Sequence, residues 1–102
     1  MFSVIKRDGI ETEFCLDKIG GAVVKAFNAT QIQFNQDMID LLALRVTADI
    51  QGKIKDGKVH VEDIQDSVEK VLEQAGYTET AKAFILYRKQ REKMRNMTST
   101  IL

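Results

Sequence analysis

The stretch Phe2-Ser3-Val4-Ile5-Lys6-Arg7-Asp8-Gly9-Ile10-Glu11-Thr12-Glu13-Phe14-Cys15 decides the fold class. Its halves, Phe2–Arg7 and Ile10–Cys15, carry the β-branched and aromatic residues that suit strands, and Asp8-Gly9 joins them. Asp-Gly between two such runs is a hairpin signal, because a two-residue turn needs positive φ at its centre. That turn sets Arg7 opposite Ile10, Lys6 opposite Glu11, Ile5 opposite Thr12 and Ser3 opposite Phe14. It predicts Ile5, Ile10 and Phe14 on the core face, with Lys6, Glu11 and Glu13 on the other.

Downstream of the hairpin the pattern is helical. Leu16, Ile19, Val23, Ala26 and Phe27 recur at helical spacing and predict a helix over Leu16–Ala29. Gly20-Gly21 lies awkwardly inside it, costing roughly 1 kcal/mol per glycine against alanine. A second helix is expected from a cap at Asn35 to about Lys55, with Met38, Leu42, Val46, Ile50 and Ile54 on one side and Leu41 and Leu44 widening it. Asp56-Gly57 is a turn and Lys58–Val61 a short extended piece. The third helix starts near Glu62, with Ile64, Val68, Val71, Leu72 and Ala75 as its stripe and Gly76 at its end. Thr78 or Thr80 caps a fourth, which runs to about Met97 with Ala81, Phe84, Ile85 and Arg88 along one side. The expected class is α+β: a four-helix body capped by a small sheet made of the hairpin and one short strand.

Composition limits what such a domain does. The 102 residues fit one domain, and 15 basic residues balance 15 acidic ones. Zero net charge argues against a chain built to coat nucleic acid. One cysteine, Cys15, and one histidine, His60, rule out an internal disulfide and a four-ligand Cys/His zinc site. No apolar run approaches the ~18 residues of a membrane helix, and Met1–Lys6 lacks a signal-peptide layout, so a cytoplasmic protein with no membrane partner is expected.

Two clusters carry possible chemistry. Lys6 and Arg7 stand at the hairpin mouth and Lys18 near the start of the first helix, where a phosphate would meet three cations beside a helix N-terminus. The competing structural reading pairs Lys6 with Glu11 across the strands and leaves Arg7 solvated. The second cluster is Arg88, Lys89, Arg91, Lys93 and Arg95, opposed only by Glu92. It reads as a solvated helix end, a phosphate site at Arg88 and Lys89, or a nucleic-acid contact. His60 and Cys15 read as structural. Neither G-x-G-x-x-G nor G-x-x-x-x-G-K-S/T is present.

Together three ordered segments resemble the ATP-cone family. They are Val4–Gly9 with Phe14 and Asp17-Lys18-Ile19, then Val61–Glu69, then Ala81–Arg88. The resemblance covers about residues 2 to 95. It implies a helical bundle capped by a small sheet that binds ATP or dATP as allosteric effector, best known at the N-terminus of ribonucleotide reductases. It performs no chemistry itself. By the same resemblance Lys6, Arg7, Lys18 and Lys89 hold phosphates. Val4 and Ile19 contact the base or its surroundings, Val61 lies near the phosphates, and Ile5 and Arg88 neighbour the site. Mg²⁺ is expected with the triphosphate.

Thr12, Cys15 and Val61 depart from the family pattern. Relatives often have a larger polar residue, Asn or Asp, and Thr at these positions. The stretch Arg91–Leu102 is similar to the exit from the cone in anaerobic reductases, so residues 1–95 are expected to be the cone and 96–102 the start of a linker to a larger, oligomeric reductase chain. The reductase repressor, which sets a four-cysteine zinc ribbon before its cone, does not fit. Two other readings stay open: a helical nucleic-acid-binding domain, and a degenerate cone serving as an assembly module.

Overall fold

The computed structural model describes residues 2–101, and side chains for residues 2–97. The last part of the stretch Arg91–Leu102 compared above with the exit from the cone, Leu102 and the side chains of residues 98–101, lies outside the described residues, as does Met1. The element order is β1 (Ser3–Ile5), β2 (Glu11–Glu13), α1 (Leu16–Thr30), α2 (Gln36–Asp49), a 3-10 turn (Ile50–Lys53), β3 (Lys58–His60), α3 (Val61–Gln74) and α4 (Thr78–Ile101). The α+β class holds: α1 packs on α2 and α4, α3 packs on the same two helices, and the sheet covers one end.

The hairpin closes one residue away from the expected register. Ser3 pairs with Glu13, Val4 with Thr12 and Ile5 with Glu11. Lys6 closes the turn: its N–H donates to the Ile10 carbonyl at 2.9 Å, and Gly9 N–H donates to the Lys6 carbonyl at 2.9 Å. The loop is therefore Arg7-Asp8-Gly9, in which only Gly9 takes positive φ, at 87°. A three-residue loop ending in a left-handed glycine is the next most common hairpin connection. The Asp8 side chain supports it by accepting from Ile10 N–H at 3.0 Å. The turn with two positive φ angles is at the other Asp-Gly, where Asp56 has φ 54° and Gly57 φ 72°, and Lys55 and Lys58 exchange backbone hydrogen bonds.

A one-residue slip changes which side chains share a face. The inward strand residues are Val4 and Thr12, whereas Ile10 is 59% exposed. Phe14 is half-buried and its ring lies 4.4 Å from that of Phe2. The expected Lys6–Glu11 pair does not form; Glu11 pairs with Lys58, 2.7 Å away on β3. β3 adds to β1 in parallel, Val4 beside Val59, so the first strand of the chain is central in a sheet of order β2-β1-β3.

The helices hold the core. Phe27 of α1 is fully buried, with Phe34 stacked at 5.7 Å and Tyr77 edge-on at 5.0 Å. α2 presents Ile39, Leu42, Ala43 and Val46 inward. Leu41 and Leu44 do not widen that face; they are 59% and 56% exposed. Asn35 caps α2 as expected, accepting from Met38 N–H at 2.9 Å. α2 itself ends at Asp49, short of Lys55. Asp49 is tied to α3 by the fully buried Ser67, whose hydroxyl donates to Oδ2 at 2.6 Å, and by Lys70, which donates to Oδ1 at 2.9 Å.

α3 stops as its sequence indicates. Gly76 adopts φ 92°, its N–H reaching the Glu73 carbonyl at 3.0 Å while Tyr77 N–H reaches that of Leu72 at 2.9 Å. Neither expected threonine caps α4 by standing before it: Thr78 is its first residue, and Thr80 is buried with its hydroxyl 3.3 Å from that of Thr30. Past Arg88, every described side chain of α4 is exposed except the half-buried Arg95.

Candidate functional site

A cavity of about 190 Å³ opens between the hairpin, α1, α3 and α4. Its apolar wall comes from Val4, Ile19, Ala22, Val61, Ile64, Val68 and Phe84, with Tyr87 at the α4 side. Lys6, Thr12, Cys15, Lys18 and Gln65 supply polar groups. Lys6 and Lys18 are exposed, and neither makes an ion pair among the described residues. The hairpin register explains Lys6: two residues after Val4, it lies on the inward side of the strand and leaves Glu11 to Lys58.

Two helices start at this cavity, α1 just after Cys15 and α3 at Val61. The first turns of helices leave backbone N–H groups without intrahelical partners, and these together with the helix dipole favour an anion. The residues preceding α1 and α3 are Cys15 and His60, and neither side chain makes a cap hydrogen bond. α2, whose residues do not line the cavity, does have a side-chain cap. The signal was present in the sequence as the absence of Ser, Thr, Asp or Asn at positions 15 and 60.

Beside the cavity lies a charged groove of about 210 Å³, lined by Arg7, Glu62, Glu69, Ile85, Arg88, Lys89 and Glu92. Arg88 is enclosed by carboxylates of α3. Its Nη1 donates to Asp66 Oδ1 at 3.0 Å and to Glu69, and its Nη2 donates to Glu62 Oε2 at 2.7 Å. Arg7 Nε donates to Glu62, and its Nη2 donates to Gln65 Oε1 at 2.7 Å. Burial would raise the Glu62 pKa, but the hydrogen bonds and charges of Arg7 and Arg88 outweigh it and hold the carboxyl below its usual range. Lys89 is exposed and makes no ion pair among the described residues.

The nine residues singled out from sequence therefore divide. Val4, Lys6, Lys18, Ile19 and Val61 meet at the cavity. Arg7, Arg88 and Lys89 line the adjoining groove, with both arginines engaged by carboxylates. Ile5 is not brought to either. Alternation along β1 turns it to the opposite side, against Lys55, Lys58 and His60. Ile64, Val68 and Phe84 had been read as core stripe, and their part in the wall emerges only from packing.

Comparison with known proteins matches residues 2–93 to the family described as ATP cone domain. The ribonucleoside-diphosphate reductase subunit alpha of Chlamydia pneumoniae is 38% identical over 102 residues, 93% of this chain and 10% of that protein. The vitamin B12-dependent ribonucleoside-diphosphate reductase of Mycobacterium tuberculosis strain H37Rv is 34% identical over 92 residues, 90% of this chain and 12% of that one. The anaerobic ribonucleoside-triphosphate reductase of Escherichia coli K12 is 32% identical over 89 residues, 87% of this chain and 12% of that one. The chain thus spans about a tenth of the length of these relatives. A match running from the first strand of the sheet into the exposed part of α4 takes in every element that walls the cavity, and the chain belongs to the ATP-cone family of nucleotide-binding regulatory domains.

Proposed function

We propose that the cavity holds the base and ribose of ATP or dATP, and that the domain acts as an allosteric effector switch for a ribonucleotide reductase. The observation that carries this reading is the pairing of an apolar cavity with two helix N-termini lacking side-chain caps and two exposed lysines that make no ion pair among the described residues. The apolar wall suits a purine ring. Lys6, Lys18 and the N–H groups of α1 and α3 suit phosphates, which extend toward Arg7 and Lys89. Among the described residues no cluster of three or more His, Cys, Asp or Glu is arranged for a metal, so Mg²⁺ would arrive on the phosphates themselves.

A cone of this kind acts because its effector binds two states of the parent protein unequally, with couplings typically ~1–3 kcal/mol. The parent is proposed to be an oligomeric reductase whose remainder follows residue 95. α4 continues without a break across that boundary. The choice of the anaerobic class rests on the likeness of the exit stretch from Arg91 alone, since relatives of three reductase kinds match the domain and do not choose among them. Among the described residues no helix is long and apolar enough to cross a membrane.

Calorimetric titration with ATP and dATP, each with Mg²⁺, and with GTP as control tests the reading. Saturable binding of adenine nucleotides that weakens in Lys6→Ala and Lys89→Ala is expected. Unchanged ATP affinity in both variants would refute the phosphate site, and affinity for DNA that collapses with salt would favour the nucleic-acid alternative.

A further inference from the structure

Glu62 stands between two arginines that are held very differently. Its Oε1 accepts from Arg7 and its Oε2 from Arg88. The Arg88 side chain is 16% exposed and is shared by Glu62, Asp66 and Glu69, so it is built into the α3–α4 interface. Arg7 sits on an exposed hairpin loop with its side chain 31% exposed. Its side-chain hydrogen bonds among the described residues go to Glu62 and Gln65. Gln65 also lines the cavity, so the Arg7 guanidinium lies at the seam between the cavity and the groove that holds Lys89.

We infer that Glu62 is a positioning residue: fixed by Arg88, it works with Gln65 to latch Arg7 onto α3, and the phosphates of a bound nucleotide must take Arg7 from it. This deepens the nucleotide reading above and rests on it. Carboxylate and phosphate compete for the same guanidinium fork. A polyphosphate brings more charge than one carboxylate, and Lys6 and Lys89 flank Arg7 to receive it. Arg88 is too enclosed to make the same exchange. Release of Arg7 would uncouple the hairpin loop from α3, so occupancy of the cavity is linked to the position of the loop.

The test is ATP·Mg²⁺ titration of the chain, of Glu62→Gln, of Asp66→Asn, and of Glu62→Gln combined with Arg7→Ala, with thermal melts to establish folding. Exposed ion pairs restrain their partners weakly, so Glu62→Gln is expected to tighten ATP binding about two- to fivefold. Asp66→Asn removes the same charge without touching Arg7 and should gain less. The Glu62→Gln gain should vanish in the Arg7→Ala background. Equal gains in Glu62→Gln and Asp66→Asn, no gain in Glu62→Gln, or a gain that survives Arg7→Ala overturns the latch while leaving the nucleotide reading intact. No ATP binding by any variant overturns both. If Glu62→Gln does not fold, the Arg7 Nε–H resonance of the unaltered chain decides. It shifts on saturation with ATP if the latch opens, and an unmoved signal overturns the proposal.

Discussion

Gly20 and Gly21 are adjacent in α1, yet alanine at the two positions should act in opposite directions. A Cβ built on Gly21 meets nothing within 4 Å. Gly21→Ala therefore brings helix propensity with no steric cost, a gain of about 0.8–1.0 kcal/mol. A Cβ on Gly20 lies 3.3 Å from Cγ2 of Ile39 on α2. Ile39 is only 2% exposed, so its methyl group has little room to retreat. Crowding of this kind costs roughly 1–3 kcal/mol, which offsets or exceeds the same propensity gain and leaves Gly20→Ala between neutral and about 2 kcal/mol less stable. Urea unfolding followed by circular dichroism at 222 nm, analysed at a common m-value, measures both. On a domain of this size Gly21→Ala should raise the melting temperature by about 3–8 °C. Stabilisation of the two variants by the same amount would mean that Gly20 does not set the α1–α2 distance.

Other perturbations probe separate parts of the structure. Gln31 follows α1 in left-handed conformation with φ 59°, so Gln31→Gly should stabilise by about 0.5–1 kcal/mol in the same urea assay, and a loss would show that its side chain contributes more than the backbone costs. The Asp49 carboxyl is held below its usual 3.8 by the Ser67 hydrogen bond and then by Lys70, so its contribution is full above that value and fades as pH falls through the folded pKa. Ser67→Ala should accordingly cost about 1–2 kcal/mol at pH 7 and less near pH 2.5; a pH-independent difference would remove the charge from the explanation. In the proposed function Lys6 and Lys18 would each act on phosphate across partly aqueous surroundings, so Lys18→Ala should weaken ATP binding about five- to thirtyfold, with the loss shrinking as salt rises, and a salt-insensitive loss would point to packing instead.

The helical body was readable because its stripes are long: Ile64, Val68, Val71 and Leu72 all lie buried on α3 where periodicity placed them. The hairpin was less so, for a physical reason. Asp-Gly serves both a two-residue and a three-residue loop, and only the backbone angles at Asp8 and Asp56 tell them apart. That one ambiguity misassigned Ile10 to the core and gave Lys6 a partner in Glu11. Leu41 and Leu44 show the opposite limit, since hydrophobicity alone does not say which side of a helix meets its neighbours. At the site, charge and position alone left Lys6 open to a pairing with Glu11, and it was the family resemblance that singled out Lys6 and Lys18, which the fold brings to one cavity. The engagement of Arg7 by Glu62 was not, because 55 residues separate them and only the docking of the hairpin on α3 unites them.

α4 does more than close the cavity with Phe84 and Tyr87. It continues as one unbroken helix, and past Arg88 its described side chains are almost all in solvent. From Tyr87 to Met97 the rise is about 15 Å, so a tilt of about 5° at the cavity wall moves the backbone at Met97 by roughly 1.3 Å. The helix thus has the geometry of a lever: its packed first half borders the cavity, and the described side chains of its second half are almost all in solvent. A rigid tilt beginning at Tyr87 would reach the far end enlarged, with no break in the helix to absorb it.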